Sequence, residues 1–94
     1  MLEISVGAND EIILSGRFDA SQVDKARQFF FALPAGRVVD LSGLDYISSA
    51  GLGILLATQK RLIDTGEGLR LVNARAHIRD VFHFSGFDQV FTID

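Results

Sequence analysis

Val38-Val39-Asp40-Leu41-Ser42-Gly43-Leu44-Asp45-Tyr46-Ile47-Ser48-Ser49-Ala50-Gly51-Leu52-Gly53 is the stretch whose reading decides the fold. Its first residues form an apolar, β-branched run of the kind that makes a buried strand. A polar turn is expected next, and then adjacent serines at the mouth of a long apolar helix. Glycine at Gly51 and Gly53 is a poor start for that helix, because Gly costs roughly 1 kcal/mol more than Ala in a helix interior and somewhat less in the first turn. Local inconsistencies of this kind often mark functional sites. Without β-carbons, the free N–H groups of the first turn would stay open to a ligand or partner backbone. Those groups and the helix dipole favour negative charge. A plainer alternative is that Ser48 or Ser49 is only an N-cap and the glycines let the helix pack closely on the strand. Pattern alone favours this plainer reading.

Working outward, Leu2 to Val6 alternates weakly, and Asp10 to Gly16 is a second strand candidate behind a turn at Gly7 to Asp10. Ser21 is placed to cap a helix, with Asp24 three residues later in the manner of a capping box. That helix is expected to reach about Leu33, with Val23, Ala26, Phe29, Phe30 and Leu33 on one stripe. Phe31 falls off the stripe and is expected to fold back onto the domain. Pro34-Ala35-Gly36 ends the helix. Arg37 to Leu41 then reads as a central strand covered on both faces. From Ser49 the second helix presents Leu52, Leu55, Leu56, Gln59, Leu62 and Ile63 on one face and closes at Gly66. Leu69 to Val72 is the next strand. Asn73 is expected to cap a third helix that carries Ile78, Val81, Phe82 and Ser85 and ends at Gly86. Val90 to Ile93 is a last short strand. The expected order is β-β-α-β-α-β-α-β, an α/β fold with a mixed sheet of about five strands. Alternation after the first hairpin implies parallel strands joined by right-handed crossovers.

Length and composition bound the rest. At 94 residues the chain is one domain, 1–94, and with 48% hydrophobic residues it can build a core without staples. It has no cysteine, which excludes disulfide frameworks, zinc fingers and thiol nucleophiles. His77 and His83 would lie on different faces of a helix with no third ligand nearby, so no metal site is expected. A net charge of −3 with scattered basic residues argues against nucleic acid as the main partner. No apolar stretch approaches the ~20 residues needed to span a bilayer. Met1-Leu2-Glu3-Ile4 lacks the features of a signal peptide, so a cytoplasmic location is expected.

Catalysis finds little support. Ser49 stands between a strand and a helix, but Ile47 occupies the place where a nucleophile elbow needs glycine, and no histidine is placed as a base. Gly16-Arg17-Phe18-Asp19 is neither a phosphate-binding nor a dinucleotide loop. The chain is therefore not expected to be an enzyme, and no cofactor is implied.

The segment from Val38 to Gly53 resembles the signature of STAS domains, specifically stand-alone bacterial anti-sigma-factor antagonists. Gly16-Arg17-Phe18-Asp19-Ala20 resembles a second patch of that family, the strand end beside the serine turn. Leu69-Arg70-Leu71-Val72-Asn73 and Phe84-Ser85-Gly86-Phe87 also match its layout, so the resemblance covers essentially the whole chain.

This resemblance implies a partner-switching module. Its phosphoacceptor would be Ser49, with Ser48 as a possible second acceptor, since many members carry Asp at that position. A GHKL-type serine kinase that is also an anti-sigma factor would modify it, and a metal-dependent serine phosphatase would reverse the change. Unmodified, the chain would bind the anti-sigma factor as a monomer or weak dimer, through Asp19, Asp45, Ser48, Ser49, Ala50, Gly51, Leu52 and Gly53. Asp19 and Asp45 would supply local acidity, although Asp19 could instead cap the first helix. The alternative is a constitutive STAS scaffold in a larger assembly, stressosome-like or lipid-transporting.

Overall fold

A computed structural model describes all residues, 1–94. The elements in chain order are β1 (Leu2–Val6), β2 (Ile12–Phe18), α1 (Val23–Phe30), β3 (Val38–Ile47), α2 (Ser49–Thr65), β4 (Arg70–Val72), α3 (Ala76–Phe84) and β5 (Thr92–Ile93). Short 3₁₀ turns cover Ala20–Gln22 and Phe87–Gln89. The strands form one sheet in the order β1-β2-β3-β4-β5, antiparallel between β1 and β2 and parallel thereafter.

Sequential strand order has a geometric consequence. Crossovers of one hand that always step in the same direction place their helices on the same side of the sheet. A single core results, built from 21 buried residues contributed by the strands and all three helices. Val39, Leu41 and Leu71 point into it, while Val38 and Arg70 are exposed and Asp40 is half-buried. The central strand is therefore covered on one face only, contrary to the two-sided burial expected from its apolar run.

The expected polar turn after Leu41 is also strand. β3 runs ten residues to Ile47 because two bulges absorb the break in alternation. Between Ile13 and Ser15 of β2 the partner strand advances from Asp40 to Gly43. Between Gly16 and Arg17 it advances from Leu44 to Tyr46. Each bulge inserts one extra residue into β3 and re-aims the side chains beyond it. The inward residues are accordingly Val39, Leu41, Leu44 and Ile47, a spacing that a strict period of two would miss. Gly16, at φ 89°, lies against the first residue of the chain, where a Cβ would come within 2.1 Å of the Met1 carbonyl oxygen.

Helix boundaries depart from expectation in instructive ways. Ser21 does not cap α1. Asp19 caps the 3₁₀ turn before it, and Gln22 precedes α1 without a side-chain cap bond. α1 ends at Phe30, although Leu33 still reaches the core. Phe31 is 44% exposed rather than folded back. On α2 the buried residues include Leu52, Leu55, Gln59 and Leu62, joined by Gly51, Ile54 and Thr58. Leu56 is half-buried and Ile63 is exposed. Gln59 accepts from the Leu69 N–H (2.6 Å) and donates to the Val90 carbonyl (3.0 Å), which ties α2 to the strands beyond it. Asn73 does not cap α3. It sits at φ 60° and donates its amide to Asp40 at 3.2 Å, and Arg75 occupies the N-cap position without a side-chain cap bond. Ser85 is exposed rather than part of the buried face of α3. Gly66 and Gly86 end α2 and α3 as expected, both with positive φ. The last two strands are shorter than the apolar runs that suggested them.

The β1 edge of the sheet is covered by side chains at Leu2. The Leu2 N–H donates to the Gln22 Oε1 at 3.1 Å, and the Lys25 ammonium donates to the Leu2 carbonyl.

Candidate functional site

β2 and β3 end together. Phe18 pairs with Ile47, so the next residues, Asp19 and Ser48, leave the sheet side by side. The Ser48 N–H donates to the Phe18 carbonyl at 2.9 Å, one bond beyond the ladder. Ser48 is extended (φ −84°, ψ 168°), and its Oγ accepts the Gly51 N–H at 3.1 Å. It is thus the N-cap of α2. Ser49 is the first helical residue and is exposed, as is Ala50. The adjacent hydroxyls therefore have different work: one is committed to the helix start, and the other faces solvent above the positive end of the helix dipole.

The glycines divide in the same way. Gly51 is buried, and a Cβ there would lie 2.9 Å from the Phe18 ring and 3.0 Å from the Ile47 side chain. Its role is close approach of helix to strands, not an open face. Leu52 is also buried. Gly53 is exposed, and a Cβ placed there would meet nothing within 4 Å. Of the expected contact residues, Gly51 and Leu52 therefore support the surface from below.

Asp19 is half-buried beside Ser48 and accepts from both the backbone N–H and the hydroxyl of Ser21. The Ser21 hydroxyl, chiefly, holds its carboxyl below the ordinary aspartate range, with the nearby Arg17 adding to the effect. Asp45 faces a different neighbour. Its carboxylate pairs with Arg75, whose Nε also donates to the Ser42 carbonyl at 2.9 Å, and His77 Nε2 contacts the Asp45 carbonyl at 2.7 Å. Asp45 thus joins β3 to the start of α3 rather than standing as free charge beside Ser49.

One contact is invisible to local sequence pattern. Arg17 pairs in register with Tyr46, and its guanidinium carbon lies 4.4 Å from the centre of that ring. Both residues are exposed. Cation–π contacts at exposed sites contribute roughly 0.5–1 kcal/mol. The Gly-Arg-Phe-Asp patch contained Arg17, but only the second bulge brings it opposite Tyr46.

No group of three or more His, Cys, Asp or Glu side chains is arranged to hold a metal ion. Surface depressions of about 260 and 470 Å³ lie elsewhere, lined by α3 and the β5 region in one case and by the end of α2 with β4 and β5 in the other. The serine turn is an exposed surface rather than a pocket. No helix is long and apolar enough to cross a membrane.

The family model described as "Mlab, STAS domain" matches residues 4–93. The chain belongs to the STAS domain family. A relative from Bordetella bronchiseptica, provisionally named anti-sigma factor antagonist BtrV, is 40% identical over 74 residues, covering 79% of this chain. The chain spans 58% of the length of that relative. Among solved structures, an anti-sigma factor antagonist from Mycobacterium paratuberculosis superposes with a TM-score of 0.81 at 27% identity, covering 99% of this chain and 83% of the other. The anti-sigma factor antagonist SpoIIAA in its unphosphorylated form superposes at 0.75 with 20% identity, covering 100% of this chain and 88% of the other. At that identity the likeness is one of fold: a STAS sheet of five strands with three helices.

Proposed function

We propose that this STAS domain is an anti-sigma-factor antagonist whose docking is switched by phosphorylation of Ser49. The observation that carries the reading is the division of labour at the start of α2. Ser48 is engaged as the cap, so Ser49 is free to be modified without dismantling the helix. Modification of Ser48 would disturb a cap worth about 1 kcal/mol, which favours Ser49 as the acceptor. A phosphate on Ser49 adds about −1.5 to −2 charge and three acceptor oxygens at a helix N-terminus that tolerates negative charge. The same charge is severe for a partner seated against Ala50 and Gly53. Binding changes and the fold remains.

The names of the relatives support this reading, and SpoIIAA is known in both unphosphorylated and phosphorylated forms. The partner on this reading is an anti-sigma factor that is also a GHKL-type serine kinase, acting in the cytoplasm, with a metal-dependent phosphatase to reset the switch. The docking surface is Asp19, Ser48, Ser49, Ala50 and Gly53, flanked by Asp45 and underpinned by Gly51 and Leu52.

The test is incubation with that kinase and ATP, read by mass spectrometry. Phosphate on Ser49 is the expected result; no phosphate on either serine removes the proposal. Ser49→Asp is expected to lose on the order of a hundredfold in partner affinity, the scale set by one or two charge-assisted contacts turned repulsive. Ser49→Ala is expected to bind normally and escape regulation. Equal affinity of wild type and Ser49→Asp would point instead to a constitutive scaffold subunit.

A further inference from the structure

We propose that Arg17, held over the ring of Tyr46, takes a carboxylate of the docking partner and so helps determine which partner the domain accepts. The inference rests on the reading of the Ser49 surface as the docking site and extends that surface onto the open face of the sheet. Arg17 and Tyr46 are the last cross-strand pair before Phe18 and Ile47, from which Asp19 and Ser48 depart. The second bulge leaves Phe18 and Ile47 buried and turns the preceding pair outward. Tyr46 is 39% exposed, and the Arg17 guanidinium carbon lies over its ring.

Arg17 lacks an acceptor for its guanidinium. Arg27, Arg37, Arg70 and Arg75 each face an aspartate carboxylate, and Arg61 donates to the Phe30 carbonyl. Arg79 shares the surface depression of α3 with Asp80 and Asp88, away from the serine turn. Asp19 lies near enough for Arg17 to lower its carboxyl, but its hydrogen bonds come from the Ser21 N–H and hydroxyl, both on Oδ1, and none comes from Arg17. The contact with the ring supplies no hydrogen-bond acceptor, so the guanidinium donors, a planar fork that matches a carboxylate, remain unspent. The ring also orders the side chain before binding, which lowers the entropy lost on contact. A cation so held, at the border of the Ser49 surface of a protein of net charge −3, selects an acidic group on the partner.

The test titrates wild type, Arg17→Ala, Arg17→Glu, Tyr46→Phe and Tyr46→Leu against the purified serine kinase that phosphorylates Ser49, by calorimetry at low and high salt. Arg17→Ala is expected to weaken binding about tenfold, as loss of one charge-assisted hydrogen bond would. Arg17→Glu is expected to weaken it further, with a flatter salt dependence in both variants. Tyr46 acts as a positioning residue, so Tyr46→Phe retains affinity and Tyr46→Leu loses part of it. Melting temperatures close to wild type in all four variants exclude a merely structural effect. If Arg17→Ala and Arg17→Glu bind like wild type while Ser49→Asp does not, this inference falls and the Ser49 reading stands. If wild type does not bind the kinase, both fall. If Arg17→Ala binds normally but phosphorylation no longer releases it, Arg17 serves the phosphate on Ser49 and the proposed partner contact is overturned.

Discussion

α2 and α3 both begin just beyond the end of a parallel strand, and their starts are finished by opposite means. α2 is closed by a neutral side chain: Ser48 caps Gly51, and the Ser48 N–H continues the sheet to Phe18. No acidic residue lies in its first turn. α3 has no side-chain cap, and its start is fastened by charge, through Arg75 to Asp45 and Ser42 and through His77 to the Asp45 carbonyl. The α3 start has spent its electrostatics on the fold. Neither first turn holds an acidic residue, but the α2 start carries no ion pair, and its first helical residue, Ser49, is exposed, so a new negative charge there displaces no existing contact. A switch belongs at the second kind of helix start.

The strongest way to break this contrast is Gly51→Ala. A Cβ at 2.9 Å from the buried Phe18 ring requires ring or helix to shift, and overpacking of this kind costs about 1–3 kcal/mol. Helix propensity returns up to ~1 kcal/mol of that. Net destabilisation is expected in thermal or urea unfolding; an unchanged midpoint would mean that α2 is not held tightly against the strands. Next comes Ser48→Ala, expected to cost about 1 kcal/mol by loss of the cap. Arg75→Ala should cost less, since exposed ion pairs contribute about 0–1 kcal/mol. If Arg75→Ala proves the costlier of the two, charge rather than capping carries the helix starts.

Gly53→Ala carries the opposite sign. The position is exposed and unobstructed, so replacing glycine should stabilise the fold by up to ~1 kcal/mol while weakening partner binding. Stabilisation without loss of affinity would remove Gly53 from the docking surface.

The smallest effect concerns acid. Burial works to raise the Asp40 pKa, but bonds from the Ser42 N–H, the Ser42 hydroxyl and the Asn73 amide outweigh it, and the carboxyl lies below the ordinary 3.8. Asp19 is lowered too, mainly by the Ser21 hydroxyl. Folded pKa values below the unfolded ones give stability that is present above pH 3.8 and lost as pH falls through the folded values. Melting temperature should therefore drop below about pH 4, and less steeply in Asp40→Asn.

Much of this architecture was legible in the residues. Apolar runs and glycine stops placed every strand and helix of the fold, and Ser48 and Ser49 stood out by their neighbours. The bulges of β3 were not legible, because a second register shift is visible only with the partner strand beside it. Without that partner, the polar residues after Leu41 read as a turn. One-sided burial was hidden for a related reason: Val38 and Val39 look alike in sequence, and only strand order decides which one meets a helix. Gly51 and Gly53 are equally indistinguishable until Phe18 is in place under the first. Asp45 looked like acidity for the serine turn because Arg75, 30 residues away, is invisible to local pattern.

The Gln22 and Lys25 contacts to Leu2 bear on how the protein behaves at high concentration. A bare outer strand is a template on which further chains can stack into fibrils, and lysine at such an edge is a recognised protection. Here the first outward-facing backbone groups of β1 are already occupied, one by an amide and one by an ammonium. The alternation of the strand leaves the outward groups of Ile4 and Val6 as the remaining open part of this edge. Lys25→Ala, which uncovers the Leu2 carbonyl, is expected to raise the aggregation rate at high concentration, read by light scattering.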